Sequence, residues 1–387
     1  MAAPRKTALG RAALAVAVVL ASGAATAPPA SGAATARLAP GVVAAQPASG
    51  VATAQLASGV ATAQPAPGVV AAPPAIGITT PPPASGITTP PSTYAYPLPG
   101  RVTGDISVHD PSAVRRADGS YLVAHTGNGI ALKTSTDRIT FRNAGAAFPG
   151  GASWTTPYTG GSANLWAPDL SYRNGQHWLY YSASTFGSNR SAIFLATSPS
   201  GNAGTWTHRG LVVESRTSDN YNAIDPDLVV DDQGRWWLSF GSFWSGIKMI
   251  ALNPSTGLRS DSTLRSLAGR NGGPIEAPNI VKRGAYYYLF VSFDYCCRGA
   301  SSTYRVMVGR SSSVTGPYVD RNGTALTSGG GTEILAGQGS VHGPGHQDVL
   351  ADVDGDVLVY HYYTDSGASR LGINLLAYDS AGWPVLR

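Results

Sequence analysis

Five segments of the chain each place an ionisable side chain at a similar point ahead of a strand-like run. These side chains belong to Asp110, Asp169, Asp225, Glu276 and His346, which are separated by 59, 56, 51 and 70 residues. Carboxylates that are held close together repel each other, so that one is kept protonated while another stays ionised. A protonated acid and an ionised base on either side of a sugar linkage are what glycoside hydrolysis requires. The sequence therefore predicts an active site for that chemistry, if the fold gathers these positions.

The segments that carry these residues share one pattern: a polar turn, a strand, a glycine turn and a strand that ends in aromatic residues. Two copies read HDPSAVRRADGSYLVAHT from residue 109 and APDLSYRNGQHWLYYSAS from residue 167. Hairpin signals, each a polar residue followed by glycine, occur at Asp118-Gly119, Asn174-Gly175, Gln233-Gly234 and Asp354-Gly355. Five multi-strand repeats predict an all-β chain folded as a five-bladed β-propeller, whose first strands line a central channel. A β-sandwich is the alternative, but it does not account for a shared phase of the ionisable residues.

Composition divides the chain into three parts. Residues 1–27 combine basic residues with an apolar run that is shorter than the about 20 residues of a membrane helix, and they predict a secretory signal peptide. An uncleaved anchor is the alternative. Residues 28–93, rich in Ala, Pro, Gly, Ser and Thr, predict a disordered linker or stalk, because they cannot bury enough apolar surface. Residues 94–387 hold every Trp and Tyr and are predicted to form the propeller.

Charge and cysteine content argue against two classes of protein. The formal net charge is +5, but the arginines are scattered, so that the basic patch typical of a nucleic-acid-binding protein is missing. The 2 cysteines, Cys296 and Cys297, are adjacent and cannot tie distant strands together as in a disulfide scaffold. The sequence leaves open whether they form a vicinal disulfide or stay as thiols.

Taken together, the motifs of residues 94–387 resemble glycoside hydrolase family 43, and most specifically its endo-1,5-α-L-arabinanases. The motifs are HDPS from 109, WAPD from 166, YYSASTFGS from 180, YNAIDP from 221, GSFW from 241, EAP from 276, DYCCRG from 294 and GPGH from 343. Each is weak alone, but their order and spacing are specific. The resemblance implies a secreted, inverting hydrolase of arabinan, a pectin side chain, without an organic cofactor. Neither nucleic acid nor, after signal cleavage, a membrane is an expected partner, and a monomer is the default expectation.

The resemblance also implies roles for three carboxylates. Asp110 would be the general base that activates water, and Glu276 would be the general acid that protonates the leaving oxygen. Asp225 would orient Glu276 and hold its pKa up. Asp227 competes with Asp225 for that role, because strand alternation would put both on one face. Asp169 would either shape the site or cap its blade.

Other residues are expected to bind the substrate or an ion. Positions that match the family's substrate cleft are Asp110, Gly187, Asn222, Ala223, Ile224, Asp225, Ser242 and Phe243. Flat apolar faces for sugar rings would come from Trp166, Phe186, Tyr221, Phe243 and Trp244. His346 would lie on the axis near a bound calcium ion, with chloride or sodium as alternatives. A hard cation there would be reached largely through water oxygens.

Three rival functions are consistent with parts of the sequence. The nearest is an exo-acting α-L-arabinofuranosidase or β-xylosidase of the same family, because loops decide whether the cleft is open at both ends. A non-catalytic, sugar-binding propeller is the second, although it would need no acid and base pair. A structural cell-wall protein is suggested only by the proline-rich segment.

Overall fold

The computed structural model describes residues 95–387, so the predicted signal peptide (1–27) and linker (28–93) lie outside the described residues. In chain order the strands are β1 (Thr103–Gly104), β2 (Ser112–Arg115), β3 (Tyr121–His125), β4 (Gly127–Asn128), β5 (Ala131–Ser135), β6 (Thr140–Ala146), β7 (Asn164–Arg173), β8 (Gln176–Ala183), β9 (Ser191–Ser198), β10 (Thr207–Ser215), β11 (Asp227–Val230), β12 (Trp236–Phe240), β13 (Ile247–Leu252), β14 (Arg265–Ala268), β15 (Ile275–Arg283), β16 (Tyr286–Phe293), β17 (Arg305–Ser311), β18 (Thr332–Ala336), β19 (His342–Asp352), β20 (Gly355–Tyr363), β21 (Ser369–Tyr378) and β22 (Pro384–Leu386). One short helix, α1 (Thr156–Thr159), precedes β7. Among the described residues, no helix is long and apolar enough to cross a membrane.

The strands form five separate sheets, which are the blades of a propeller. Their strand orders are β2-β3-β5-β6-β1, β4-β7-β8-β9-β10, β11-β12-β13-β14, β15-β16-β17-β18 and β19-β20-β21-β22. The first long strand of each blade (β2, β7, β11, β15 and β19) contacts its counterparts in the neighbouring blades and lies innermost. The predicted five-bladed β-propeller is confirmed, and the β-sandwich alternative is wrong.

The core consists of one hydrophobic cluster between each pair of neighbouring blades. Successive side chains of a strand point to opposite faces, so that Leu122 packs toward the second blade and Val123 toward the fifth. Trp236 and Trp237 likewise face the second and fourth blades. Each large side chain buried in this way contributes about 1.5–3 kcal/mol. Because both faces of a central strand are buried, its sequence is a continuous apolar run, as the sequence indicated.

Polar contacts close the ring between the fifth and first blades. The backbone N–H of Gly100 donates to the carbonyl of Ile373 (2.8 Å), and that of Leu371 donates to the carbonyl of Ile106 (2.9 Å). Arg138 in the first blade forms an ion pair with Asp354 in the fifth (2.7 Å). The last blade is built wholly from C-terminal strands, so these contacts, together with the apolar cluster, join the two ends of the ring.

The predicted hairpins are present, and one shows why its turn residues are needed. Asn174 and Gly175 connect β7 to β8 with φ angles of +52° and +79°. Positive φ at both central residues is the type I′ geometry, whose twist matches that of the flanking strands.

Candidate active site

Five residues at the head of the inner strands share an unusual backbone conformation. Asp110, Ala167, Asp225, Ala277 and His346 have φ angles of +51°, +46°, +59°, +53° and +49°. Non-glycine residues seldom adopt positive φ, and such strain concentrates at functional sites. We call these residues the bulge positions, because the strand register shifts at them in the second, fourth and fifth blades.

The bulge positions correct the sequence-based alignment at two of its five residues. Glu276 does not share the phase of Asp110, Asp225 and His346, because it lies one residue before the bulge at Ala277. Asp169 lies two residues after the bulge at Ala167 and belongs to a different ring. A bulge inserts one residue into a strand, and neighbouring residues of a strand point in different directions. Glu276, one residue before its bulge, lines the cavity together with Asp110, Asp225 and His346, whereas Asp169, two residues after its bulge, does not.

The residues two positions beyond the bulges form a polar ring. Four of them, Ser112, Asp169, Asp227 and Asn279, are buried, and the fifth, Asp348, is half-buried. Four of them accept a backbone N–H of the next blade, at 2.7–3.0 Å: Leu170 donates to Ser112, Leu228 to Asp169, Ile280 to Asp227 and Ala113 to Asp348. We call this set the inter-blade ring.

The inter-blade ring settles two alternatives that the sequence left open. Asp169 and Asp227 both hold neighbouring blades together and do not line the cavity. Asp227 also does not share a strand face with Asp225, because Asp225 precedes β11 in the left-handed conformation. Burial raises the pKa of Asp227 to about 7 and that of Asp348 to about 6.

A side chain from the preceding blade accepts the backbone N–H at four of the bulge positions. The pairs are Ala167 with Thr126 (2.8 Å), Asp225 with Ser182 (3.0 Å), His346 with Ser292 (2.8 Å) and Asp110 with His361 (3.1 Å). The equivalent residue of the third blade is Gly241, which faces Ile224 across the hairpin and has no side chain to offer. The N–H of Ala277 donates instead to the carboxylate of Asp225, at 3.1 Å. This exception brings Asp225 next to the backbone of Glu276.

One cavity of about 970 Å³ opens above the bulge positions. Of the predicted site residues, those that line it are Asp110, Trp166, Gly187, Asn222, Ile224, Asp225, Ser242, Phe243, Glu276 and His346. Among the suggested aromatic residues, Phe186 and Trp244 also line it, and Phe186 is 82% exposed.

Two predicted positions lie outside the cavity lining. Ala223 is fully buried, its N–H donates to Ser215 Oγ at 2.9 Å, and its side chain is not part of the cavity lining. Tyr221 points to the second blade, where its hydroxyl donates to the carbonyl of Glu214 at 2.9 Å. Both residues belong to the packing between blades, because alternation turns every second side chain of this segment away from the axis.

Asp110 is surrounded by hydrogen-bond donors. It accepts from Thr126 Oγ1 at 2.6 Å and from His109 Nδ1 at 2.8 Å, and His346 Nδ1 lies 3.1 Å from its second oxygen. Burial alone would raise the pKa of Asp110, but the nearby charges of His109 and His346 hold it well below its usual range. Asp110 is therefore ionised at neutral pH.

Glu276 and Asp225 are shifted in the opposite direction. Burial raises the pKa of Glu276 to about 7; the hydrogen bond from Ser242 Oγ to Oε2 (2.5 Å) opposes this, and the charge of Asp110 adds to it. Burial, followed by the charges of Glu276 and Asp110, raises the pKa of Asp225 well above its usual value. The two groups titrate as a pair. The cavity thus holds the ionised Asp110 beside two carboxyl groups whose pKa values are raised.

Several residues of the site were not assigned a role from the sequence. His109 and Thr126 contact Asp110, Tyr304 lines the cavity, and Cys296 and Cys297 form a vicinal disulfide in its wall. The sequence did contain a signal for Thr126. It is a hydroxyl residue at the end of its hairpin, at the position equivalent to Ser182 and Ser292 in their hairpins. His109 stood in a quoted motif, but nothing in the sequence indicated that its ring turns toward Asp110.

The side chains around His346 do not match direct calcium coordination. Calcium takes six to eight oxygen ligands, whereas His346 offers nitrogen and the adjacent Asp110 carboxylate already accepts several hydrogen bonds. Within residues 95–387, the groups with metal-ligating spacing are His109 with Cys296 and Cys297, and His109 with Asp110 and His361. Neither contains His346, and the sulfurs are joined in a disulfide.

Comparisons with known proteins agree with the geometry of the site, because they also indicate a glycoside hydrolase. Residues 101–384 match the family model of the Glycosyl hydrolases family 43. Extracellular endo-alpha-(1->5)-L-arabinanase 1 of Bacillus subtilis (strain 168) is 45% identical over 286 residues, which are 72% of this chain and 87% of that protein. Extracellular exo-alpha-(1->5)-L-arabinofuranosidase ArbA of Cellvibrio japonicus (strain Ueda107) is 38% identical over 299 residues, 72% of this chain and 86% of that protein. The solved GH43 Endo-Arabinanase from Bacillus licheniformis superposes with a TM-score of 0.70 at 47% identity, covering 74% of this chain and 99% of that chain.

Proposed function

The chain belongs to the glycosyl hydrolases of family 43, and on that premise we propose that it cleaves α-1,5-L-arabinofuranosidic linkages within arabinan by single displacement. The observation that carries the proposal is the placement of Asp110 and Glu276 in one cavity, whose surroundings shift the two pKa values in opposite directions. A base and an acid whose pKa values are pushed apart are the pair that glycoside hydrolysis uses.

Asp110 serves as the general base. Its carboxylate is ionised, and its bonds to Thr126 and His109 fix its orientation at the floor of the cavity. A water between Asp110 and the anomeric carbon would give up a proton to this carboxylate while attacking the carbon. Attack by water on the face opposite the leaving group inverts the configuration, as in the single-displacement mechanism.

Glu276 serves as the general acid. Because the Ser242 hydroxyl donates to Oε2, the acidic hydrogen of Glu276 resides on Oε1, from which it passes to the leaving oxygen. Asp225 acts on Glu276 in two ways. It accepts the N–H of Ala277 and so fixes the adjacent backbone, and its proximity keeps the pair from ionising together.

Endo action is supported by the size of the cavity and by the relatives. A cavity of about 970 Å³ lined by Trp166, Phe186 and Phe243 offers room and flat apolar faces for more than one sugar ring. The Bacillus subtilis and Bacillus licheniformis relatives are named as endo-arabinanases. Exo action is the second candidate, since the Cellvibrio japonicus relative is named as an exo-acting arabinofuranosidase.

Product analysis on debranched linear 1,5-arabinan tests this function. We expect a spread of short oligosaccharides from the earliest time points, released with inverted anomeric configuration. Arabinose as the sole early product would establish exo action. Retained configuration would exclude single displacement. Binding without any product would indicate a non-catalytic, sugar-binding propeller.

We also propose that the protein is secreted through the signal peptide predicted in residues 1–27 and acts as a monomer. The relatives named extracellular support secretion. N-terminal sequencing of protein recovered from culture medium should find a start close to residue 28. Sedimentation of the purified protein should give the mass of one chain. Cell-retained protein with an intact N-terminus would overturn the secretion proposal.

The axial calcium ion near His346 is proposed only as an ion held through water, because the side chains do not supply a direct ligand set. Metal analysis of the dialysed protein, compared with a His346→Ala variant, tests it. One equivalent of calcium that is lost in the variant would support the proposal. Equal and negligible calcium in both proteins would overturn it.

A further inference from the structure

The base is connected by hydrogen bonds to a tyrosine outside the cavity lining. His109 donates from Nδ1 to Asp110, and its Nε2 lies 2.8 Å from the hydroxyl of Tyr363. The ring of His109 is also stacked on that of His361, with centroids 4.1 Å apart. An ionised carboxylate can only accept, so Nδ1 must carry a hydrogen, and the contact at Nε2 then fixes the ring's rotation.

The tyrosine hydroxyl is in turn held by the vicinal disulfide. The backbone N–H of Cys297 donates to the hydroxyl of Tyr363 at 3.0 Å, and Cys297 Sγ lies 3.8 Å from His109 Nε2. The path from Cys297 through Tyr363 and His109 to Asp110 is thus continuous. It links the fourth blade to the first and fifth blades across the cavity wall.

The orientation of the Cys297 N–H depends on a backbone conformation that cysteine does not favour. Cys297 has a φ angle of +65°, in the left-handed region that strains a residue with a β-carbon. Its cross-link to Cys296 closes a small ring between neighbouring residues and holds this conformation. Both sulfurs line the cavity, and Cys297 is exposed, so that a reducing agent can reach the bond.

We propose that the Cys296–Cys297 disulfide is a redox-dependent positioning element for the catalytic base, acting through Tyr363 and His109. The inference rests on the proposed role of Asp110. A dithiol breaks the S–S bond by transferring two electrons and two protons, which leaves two thiols on the protein and converts the dithiol to its own disulfide. Cys297 then leaves the left-handed conformation, its N–H withdraws from Tyr363, and the His109 ring loses its fixed rotation.

Dithiothreitol tests the proposal directly, because the chain has only 2 cysteines and the reagent therefore has one target. Hydrolysis of linear arabinan is measured before reduction, after reduction and after reoxidation. We expect kcat to fall about tenfold to hundredfold, because a displacement of about 1 Å in a catalytic group can cost about a hundredfold. KM should change much less, and reoxidation should restore kcat.

Two variants test whether the loss of kcat on reduction depends on the path from Cys297 through Tyr363 to His109. The double variant Cys296→Ser with Cys297→Ser should have the kcat of the reduced enzyme and should not respond to dithiothreitol. Tyr363→Phe removes only the hydroxyl, and it should have a low kcat in both redox states. Tyr362→Phe, at the neighbouring position on the strand, should keep the response of the native chain. Circular dichroism and thermal denaturation establish that each variant is folded.

A readout independent of turnover separates this inference from the proposed function. The ring 15N resonances of His109 should shift on reduction of the native chain. In Tyr363→Phe they should shift much less, because only the 3.8 Å contact between Cys297 Sγ and His109 Nε2 remains. An oxidised enzyme that is inactive on arabinan would overturn the proposed function. An active enzyme whose kcat and His109 resonances do not change on reduction would overturn the redox proposal, as would a Tyr363→Phe variant whose kcat still falls on reduction.

Discussion

The carboxylate of Asp225 accepts a hydrogen bond from the backbone N–H of Ala277, at 3.1 Å. At the other four bulge positions this N–H is accepted by a side chain from the second strand of the preceding blade. The third blade has Gly241 at that place, so Asp225 fills the role that a hydroxyl or imidazole fills elsewhere. A departure from the fivefold pattern therefore positions the carboxylate beside the proposed acid.

We expect Asp225→Ala to lower kcat by about a hundredfold or more, because the contact that fixes the backbone beside Glu276 is lost. Asp225→Asn keeps an acceptor for the Ala277 N–H and should retain more activity than Asp225→Ala. The alkaline limb of the pH profile of Asp225→Asn should stay close to that of the native chain, since Asn resembles the protonated carboxyl group that the raised pKa of Asp225 favours. Identical activities for the two variants would contradict the positioning role.

Replacement of the acid and the base should have different signatures. Asp110→Ala and Glu276→Ala should each lose about a thousandfold or more of kcat on arabinan while remaining folded. On an aryl arabinoside, whose phenolate leaving group needs little protonation, Glu276→Ala should recover much of its activity and Asp110→Ala should not. Near-native turnover of arabinan by either variant would show that the assignment is wrong.

Activity should fall as the pH rises through about 7. Glu276 must be protonated to act as the acid, and its pKa is raised to about 7 by burial. Ser242→Ala removes a hydrogen bond that lowers this pKa, so its alkaline limb should move to higher pH. The matched control is Ser366→Ala, which is exposed and does not line the cavity. If the alkaline limb of the pH profile is unchanged in Ser242→Ala, the ionisation of Glu276 does not produce that limb.

The inter-blade ring should contribute less to stability as the pH rises. Burial raises the pKa of Asp348 to about 6 and that of Asp227 to about 7, so between pH 4 and 7 these two groups bind more protons in the folded chain than in the unfolded chain. Their contribution to the free energy of unfolding then falls with rising pH, by about 1.4 kcal/mol for each unit by which a pKa is raised.

Denaturant unfolding of the purified protein at pH 5 and pH 8 measures this change. Asp227→Asn cannot ionise and should remove its part of this dependence, whereas the exposed Asp261→Asn should leave the dependence unchanged. The same pH dependence in Asp227→Asn as in the native chain would contradict the raised pKa of Asp227.

Much of the fold and of the cavity lining could be predicted from sequence because both depend on local patterns. Glycine turns and apolar runs repeat with each blade, and a radial fold brings equivalent positions to one axis. The exact phase could not be predicted from the ionisable residues alone. The bulge positions Ala167 and Ala277 carry no ionisable side chain, so that the nearby Asp169 and Glu276 were aligned with residues they do not match. The sequence also did not indicate that Ala223 is buried between Asn222 and Ile224, which both line the cavity.

The sequence by itself determined the family, the number of blades and the carboxylates that could form an acid and base pair. Only the tertiary structure decided their protonation and what holds them. The pKa of Asp110 is low because its sequence neighbour His109 turns toward it and His346 approaches from a distant part of the chain, and the Cys297 contact to Tyr363 spans 66 residues. Burial and charge act through distances in space, and residues far apart in sequence acquire such distances only when the ring of blades closes.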